Sequence, residues 1–170
     1  MSDPAPTPHG GGRFDAEAIE RFRRSGIRID REGEFQHEGA PVIHEGLRRA
    51  LFRWLDRLPD GRTILRLDAE RFAYVDVDDT PLVARGARVQ GDEVFLALSD
   101  GAEERLNPGT LTIDDRGVLR CKARGGRLEA RLATSAAAVL ADLIDDRPGG
   151  PVLILGPREF PVGHRSAARR

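Results

Sequence analysis

Cysteine is almost missing from this sequence, and the single Cys121 excludes any internal disulfide; a reducing compartment is the expected setting. Long apolar runs are missing too: nothing approaches the roughly 20 residues of a membrane-spanning helix. No basic start leads into an apolar stretch as a secretory leader would. The chain is therefore expected in the cytoplasm. An excess of charge of either sign is also lacking, since 27 basic residues face 28 acidic ones, which removes a global attraction to nucleic acid or to an anionic membrane. Aromatic residues make up only 5% of the chain, so aliphatic side chains must supply most of any core.

What the sequence does hold is an amphipathic stretch from His44 to Gly61. Leu47, Ala50, Leu51, Trp54, Leu55 and Leu58 recur at helical spacing, which predicts one helix with this stripe buried. Arg48, Arg49, Arg53 and Arg57 fill the opposite side, Glu45 stands four residues before Arg49, and Pro59, Asp60 and Gly61 supply the stop.

The same plan recurs later in the chain. Ile29-Asp30-Arg31-Glu32-Gly33 resembles Ile113-Asp114-Asp115-Arg116-Gly117, and Ala50 to Leu55 lines up with Ala138 to Leu143. Pro59 to Gly61 answers Pro148 to Gly150, and Leu65, Leu67 and Phe72 match Leu153, Leu155 and Phe160. Matching landmarks in the same order predict an α+β fold made of two diverged copies of a curved antiparallel sheet packed on one helix. A short N-terminal helix, from Asp15 to a stop at Gly26, is added to them. The expected divisions are a tail at 1–13, an N-terminal half at 14–80, a connecting β-meander at 81–109, a C-terminal half at 110–163 and a tail at 164–170. The meander reads as strands Leu82 to Arg85, Ala87 to Gln90 and Val94 to Leu98 with a short Glu104 to Leu106, because Gly86, Gly91-Asp92 and Asp100-Gly101 punctuate it. In the second copy a helix from Ser135 to Asp146, capped by Thr134 or Ser135, is expected.

Within this plan the chain resembles the bacterial family catalogued as domain of unknown function 1285. The resemblance is carried by Ile27-Arg28-Ile29-Asp30 with Gly33, by Pro41, by Leu47, Leu51 and Phe52, by Asp60-Gly61, by Glu70, and by Val77-Asp78-Asp79-Thr80-Pro81-Leu82. It implies the two-copy α+β fold and a regulatory or signalling role, with no reaction attached.

No residue set reaches a catalytic or metal signature. His37-Glu38 and His44-Glu45 lack the His-Glu-x-x-His spacing of a zinc helix, and Asp76, Asp78 and Asp79 lack a calcium-loop pattern. No metal and no cofactor are expected. The leading expectation is a non-catalytic module that binds a small ligand, a peptide or a protein in the crevice between the halves, as monomer or dimer, with His44, Arg48, Asp78 and Asp79 as the ligand-binding candidates. Two alternatives stand beside it: a hydrolase using His44, Glu45 and the Asp76, Asp78 and Asp79 group, and a structural subunit that pairs through an exposed strand such as Val94 to Leu98.

Overall fold

The computed structural model describes residues 23–166, so the tail expected at 1–13 and nearly all of the expected N-terminal helix lie outside them. At Arg24 the chain is already a strand, β1 (Arg24–Ile29), and Gly26 lies inside it rather than closing a helix. A turn leads to β2 (Phe35–His37) and the two-residue β3 (Ala40–Pro41). Helix α1 (Glu45–Trp54) follows, then β4 (Leu55–Arg57), β5 (Thr63–Arg66) and β6 (Phe72–Val77). These strands form one sheet in the order β3-β2-β1-β6-β5-β4. All pairings in it are antiparallel except β1 with β6, which run parallel.

The next segment supplies β7 (Leu82–Gln90), β8 (Glu93–Leu98) and β9 (Glu103–Arg105). After a 3-10 turn at Pro108–Thr110 come β10 (Thr112–Asp114), β11 (Leu119–Ala123), β12 (Leu128–Leu132) and helix α2 (Thr134–Ala141). The chain ends with β13 (Ile144–Arg147), β14 (Gly150–Leu155), β15 (Arg158–Pro161) and β16 (Gly163–Arg165). A seven-stranded sheet runs β16-β10-β11-β12-β7-β8-β9, and β13-β14-β15 form a small third sheet. Here β10 pairs with β16 in parallel, as β1 does with β6, and β12 pairs with β7 in parallel. The fold is α+β and its two large sheets are alike, but they are mixed rather than purely antiparallel as expected. The meander is built into the second sheet, and the first residues of the expected C-terminal tail, His164 and Arg165, are a paired strand.

The likeness of the halves extends to individual atoms. In the turn after β1, Asp30 Oδ1 accepts from the Glu32 and Glu34 amides at 3.1 and 2.8 Å, and its Oδ2 accepts from the Gln36 side chain at 2.9 Å. Asp114, the last residue of β10, accepts from the Arg116 and Val118 amides, both at 2.9 Å, and from Arg120 at 2.6 Å. The offsets of two, four and six residues are the same, and each turn closes on a left-handed glycine, Gly33 at φ 78° and Gly117 at φ 77°.

Both helices stop earlier than their spacing predicts. Leu55 turns extended, with ψ 124°, and pairs with Leu65, while Ile144 pairs with Leu153. An apolar residue at helical spacing can equally be the first inward residue of a following strand, and in both halves it is. The α1 stripe is consequently rotated: Leu51 and Phe52 are buried, whereas Leu47 is 46% exposed. Phe52 packs edge-on against Phe35 with ring centroids 4.7 Å apart. In α2, Ala136 and Leu140 are buried. No side chain caps α2, because the Ser135 hydroxyl donates instead to the Arg85 carbonyl and Ala133 holds the cap position. Asp145 and Asp146 belong to β13, so they do not oppose a helix dipole.

One continuous buried cluster spans both halves, from Ile29, Phe35 and Leu51 through Leu82 and Leu96 to Leu128, Leu140 and Leu153. Arginines stitch its rim. Arg124, just after β11, donates to the Phe52 and Leu55 carbonyls at 2.7 and 3.2 Å, satisfying the end of α1, and pairs with Asp100 at 2.6 Å. Arg131 of β12 donates to the Arg31 carbonyl at 2.6 Å, and Arg85 of β7 binds Glu34. Strand β8 is paired on both sides, to β7 and β9, so Val94 to Leu98 offers no free edge to another chain. No helix among the described residues is long and apolar enough to cross a membrane.

Candidate functional site

The four residues expected to bind a ligand do not meet. His44 is the N-cap of α1, its Nδ1 accepting from the Leu47 amide at 3.2 Å. It borders an apolar groove of about 420 Å³ with Ile27, Val42 and Ile43. Arg48, one turn on, faces a different crevice of about 430 Å³ between α1 and the β8–β9 turn, beside Phe52, Ser99 and Asp100. This is the crevice between the halves, but its charges are already engaged. Arg48 pairs with Glu34 at 2.6 Å, Arg49 with Glu45, and Asp100 with Arg124. Asp78 and Asp79 border neither concavity. Arg28 grips Asp78 through two bonds of 2.7 and 2.6 Å, and Arg120 and Arg131 hold Asp79 at 2.9 and 3.2 Å.

The residues of the hydrolase alternative are likewise dispersed: His44 serves a helix cap, Glu45 an ion pair and Asp79 the seam between the sheets. Cys121 is buried, and that burial, helped by the nearby Glu104 charge, pushes its thiol up to about 12, far from a thiolate at neutral pH. Among the described residues no group of three or more histidine, cysteine, aspartate or glutamate side chains is placed to hold a metal ion.

A larger concavity lies in the first half, at the parallel joint of β1 and β6. Arg24 stands in register with Tyr74 and Arg28 with Asp76, so the Ser25-Gly26-Ile27 stretch of β1 bulges out opposite Val75. Gly26, at φ 65°, permits the bulge. The Ser25 hydroxyl holds it, donating to the Tyr74 carbonyl at 2.6 Å and accepting from the Ile27 amide at 3.1 Å. On the other side of β6, pairing with β5 ends at Ile64 opposite Tyr74, and the strands part beyond it. An open cleft of about 700 Å³ results, bordered by Arg24, Ile27, Arg62, Tyr74, Val75 and Asp76.

The charges bordering this cleft are only partly engaged. Arg62 is committed, pairing with Asp60 at 2.7 Å while its guanidinium lies 4.4 Å from the centre of the Tyr74 ring. Arg24 and Asp76 make no contact ion pair among the described residues. Arg28, the cation in register with Asp76, is taken by Asp78. Among the described residues the cleft thus offers one cation and one carboxylate without ion-pair partners, while the side chain of Val75 at its base is buried in the core. Of these, sequence reasoning singled out only Asp76, and for another purpose. Gly26 was the available signal, since a glycine within a strand pattern marks a bulge, but next to an arginine-rich helical pattern it reads as a helix stop.

No family model and no curated protein matches this chain. Two solved structures share its fold. A DUF1285 family protein from Silicibacter pomeroyi DSS-3 superposes with a TM-score of 0.68 at 23% identity, covering 82% of this chain and 80% of that one. A DUF1285 family protein from Shewanella baltica OS155 gives 0.58 at 16% identity, over 68% of this chain and 90% of that one. The fold is the one that the sequence resemblance implied.

Proposed function

We propose that this chain, with the fold seen in those DUF1285 proteins, is a non-catalytic regulatory or signalling module that binds a small ligand in the cleft at the β1–β6 joint. The observation that carries the reading is the cleft itself: at about 700 Å³ it is larger than the groove at His44 and the crevice at Arg48, and Arg24 and Asp76 on its border have no contact ion pair among the described residues. His44, Glu45, Arg48, Asp78 and Asp79, by contrast, are engaged in a helix cap and ion pairs. Binding pockets hold a few polar groups that fix a ligand's orientation, and Arg24 and Asp76 on the border of this cleft are such groups. A thermal-shift screen of a small-molecule library against the full chain tests the reading. Hits whose effect is lost in Asp76→Asn or Arg24→Gln support it; hits indifferent to both changes, or turnover of any screened compound, count against it.

A second reading rests on a separate observation. Ile43 is 86% exposed and Leu47 46% exposed beside strand β3, which among the described residues pairs with β2 alone, an apolar surface suited to a protein partner. Ile43→Ser would weaken association with such a partner and leave small-molecule binding at the cleft unchanged.

A further inference from the structure

We infer that the β1–β6 cleft takes a short peptide in extended conformation, bound through its backbone to the edge that β6 leaves open at Val77. This inference rests on the cleft being a ligand site and names the class of ligand it receives.

The direction of the backbone groups along β6 carries it. The Tyr74 carbonyl accepts from the Ser25 hydroxyl at 2.6 Å, and the Asp78 amide donates to the Ile29 carbonyl at 3.0 Å, so both residues turn their polar groups toward β1. On the opposite side the Arg71 carbonyl, just before β6, accepts from the Leu67 amide at 2.9 Å. Backbone groups alternate between the two neighbours of a strand, which points the amide and carbonyl of Val77 toward β5. Strand β5 does not meet them: its pairing ends at Ile64 opposite Tyr74, and among the described residues no hydrogen bond reaches Val77 from that side. Continued in the same register, β5 would set Gly61 opposite Val77. Gly61 is instead turned away at φ 92°, its amide donating to the Leu58 carbonyl at 2.9 Å and its carbonyl accepting from Arg57 Nε at 3.0 Å. Gly61 and Val77 both border the cleft, so the rung that the ladder lacks falls inside it.

A donor and an acceptor on one residue, facing the same way, are the complement of another extended residue, which exchanges two hydrogen bonds with it in an antiparallel pair. Peptides recognised by strand addition bind in this way. A ligand that brings only a charge or only an apolar group leaves the Val77 amide or carbonyl unmatched. The Val77 side chain packs against the core, so recognition at this rung is by main chain, and a cleft of about 700 Å³ has room for a few residues.

Nuclear magnetic resonance on the full chain, with a library of acetylated tetrapeptide amides as the probe, tests this. In the free protein the Val77 amide should exchange with solvent at least about tenfold faster than the Asp78 amide, which is bonded to Ile29. A peptide that binds should slow exchange at Val77. Methylating the peptide nitrogens one at a time should then find a position where affinity falls about tenfold, the worth of one backbone hydrogen bond. Val77→Pro removes the donor without removing a bond to β1, as a proline can at an open strand edge, and should lose the peptide too. Circular dichroism verifies that this variant folds, and the methylated peptides read the same contact in the unaltered protein. A Val77 amide as protected as that of Asp78 in the free protein, or binding indifferent to methylation at every position, overturns the peptide assignment. Small-molecule hits lost in the Arg24 and Asp76 variants, with no peptide bound, sink this inference and leave the binding-module reading standing; silence in both experiments sinks both.

Discussion

The two halves close the same joint in opposite ways. In the first, the closing strand β6 is continuous and its parallel partner β1 bulges over Ser25 to Ile27. In the second, the opening strand β10 pairs without a bulge at Thr112, Ile113 and Asp114. There the closing strand is broken instead, at Pro161 and Val162, so that β15 pairs with β14 and β16 with β10. A proline that cannot donate to a ladder ends β15, while a glycine and a serine are what β1 uses to bulge. A second contrast lies at the other end of the sheets. The edge of β12 is covered by β7, whereas among the described residues no strand pairs with the equivalent edge of β3. One plan therefore yields a half that mainly completes the core and a half that keeps an open cleft and an apolar edge. Function, on this account, belongs to the first half, and the second provides its support.

The largest expected effect tests whether that support is real. Leu55→Asp puts a carboxylate into the shared core and should abolish folding, since its desolvation alone amounts to several kcal/mol against a total stability of about 5–15 kcal/mol. Leu140→Asp, in the other half, should do the same. Fluorescence of Trp54, the single tryptophan, reads the first half; a native Trp54 signal in Leu140→Asp would mean that the halves fold separately.

Next comes the stitch between them. Arg124→Ala removes the cation from Asp100, whose side chain is only 5% exposed, and uncovers two carbonyls at the end of α1. A loss of about 3–5 kcal/mol is expected, measured by urea unfolding. A loss below about 1 kcal/mol would reduce Arg124 to an ordinary surface ion pair.

The paired turns permit a finer comparison. Gly33→Ala and Gly117→Ala both place a side chain at positive φ, which costs about 1–2 kcal/mol. A Cβ at Gly33 would also stand 2.9 Å from Val83 Cγ2, whereas one at Gly117 meets nothing within 4 Å. Gly33→Ala should be the more harmful by roughly a further 1–3 kcal/mol; equal melting temperatures would show that Val83 moves aside freely.

Smaller still is the acid limb of stability. Burial opposes ionisation of Asp114, but the bonds from Arg120 and from the Val118 and Arg116 amides outweigh it and lower its carboxyl to about 2. A depressed folded-state pKa stabilises the fold above the ordinary carboxylate range, and that contribution disappears as pH falls from about 4 toward 2, a loss of about 2 kcal/mol. Asp114→Asn should be less stable at neutral pH and show a shallower decline over that interval. An unchanged acid limb would remove Asp114 from the account.

The sequence made the duplicated plan legible because turn chemistry is local: an aspartate five residues before an inward residue, Phe35 or Leu119, with a glycine between, specifies the same hydrogen bonds wherever it occurs. Helix ends were less legible, because Leu55 and Ile144 satisfy a helical stripe and a strand pairing equally well and only the partners Leu65 and Leu153 decide between them. The parallel pairings, β1 with β6 and β10 with β16, join segments dozens of residues apart and leave no mark in local periodicity. The candidate site suffered most from this. Asp78 and Asp79 look like a free acidic cluster until the fold brings up Arg28, Arg120 and Arg131, and Arg24 looks like one more helix-surface arginine until β1 is seen to be a strand. The fate of a charge depends on partners that are remote in sequence, and in a chain with this many arginines most carboxylates find one.

The most direct test of the central claim is a map of amide chemical shifts on the full chain as the strongest hit of the library screen is titrated in. The account predicts shifts concentrated at Ser25 to Ile27, Gly61 to Thr63 and Val75 to Val77, with the equivalent joint at Thr112 to Asp114 and Gly163 to Arg165 unmoved. Shifts centred on that second joint, or on the crevice between Arg48 and Asp100, would contradict it.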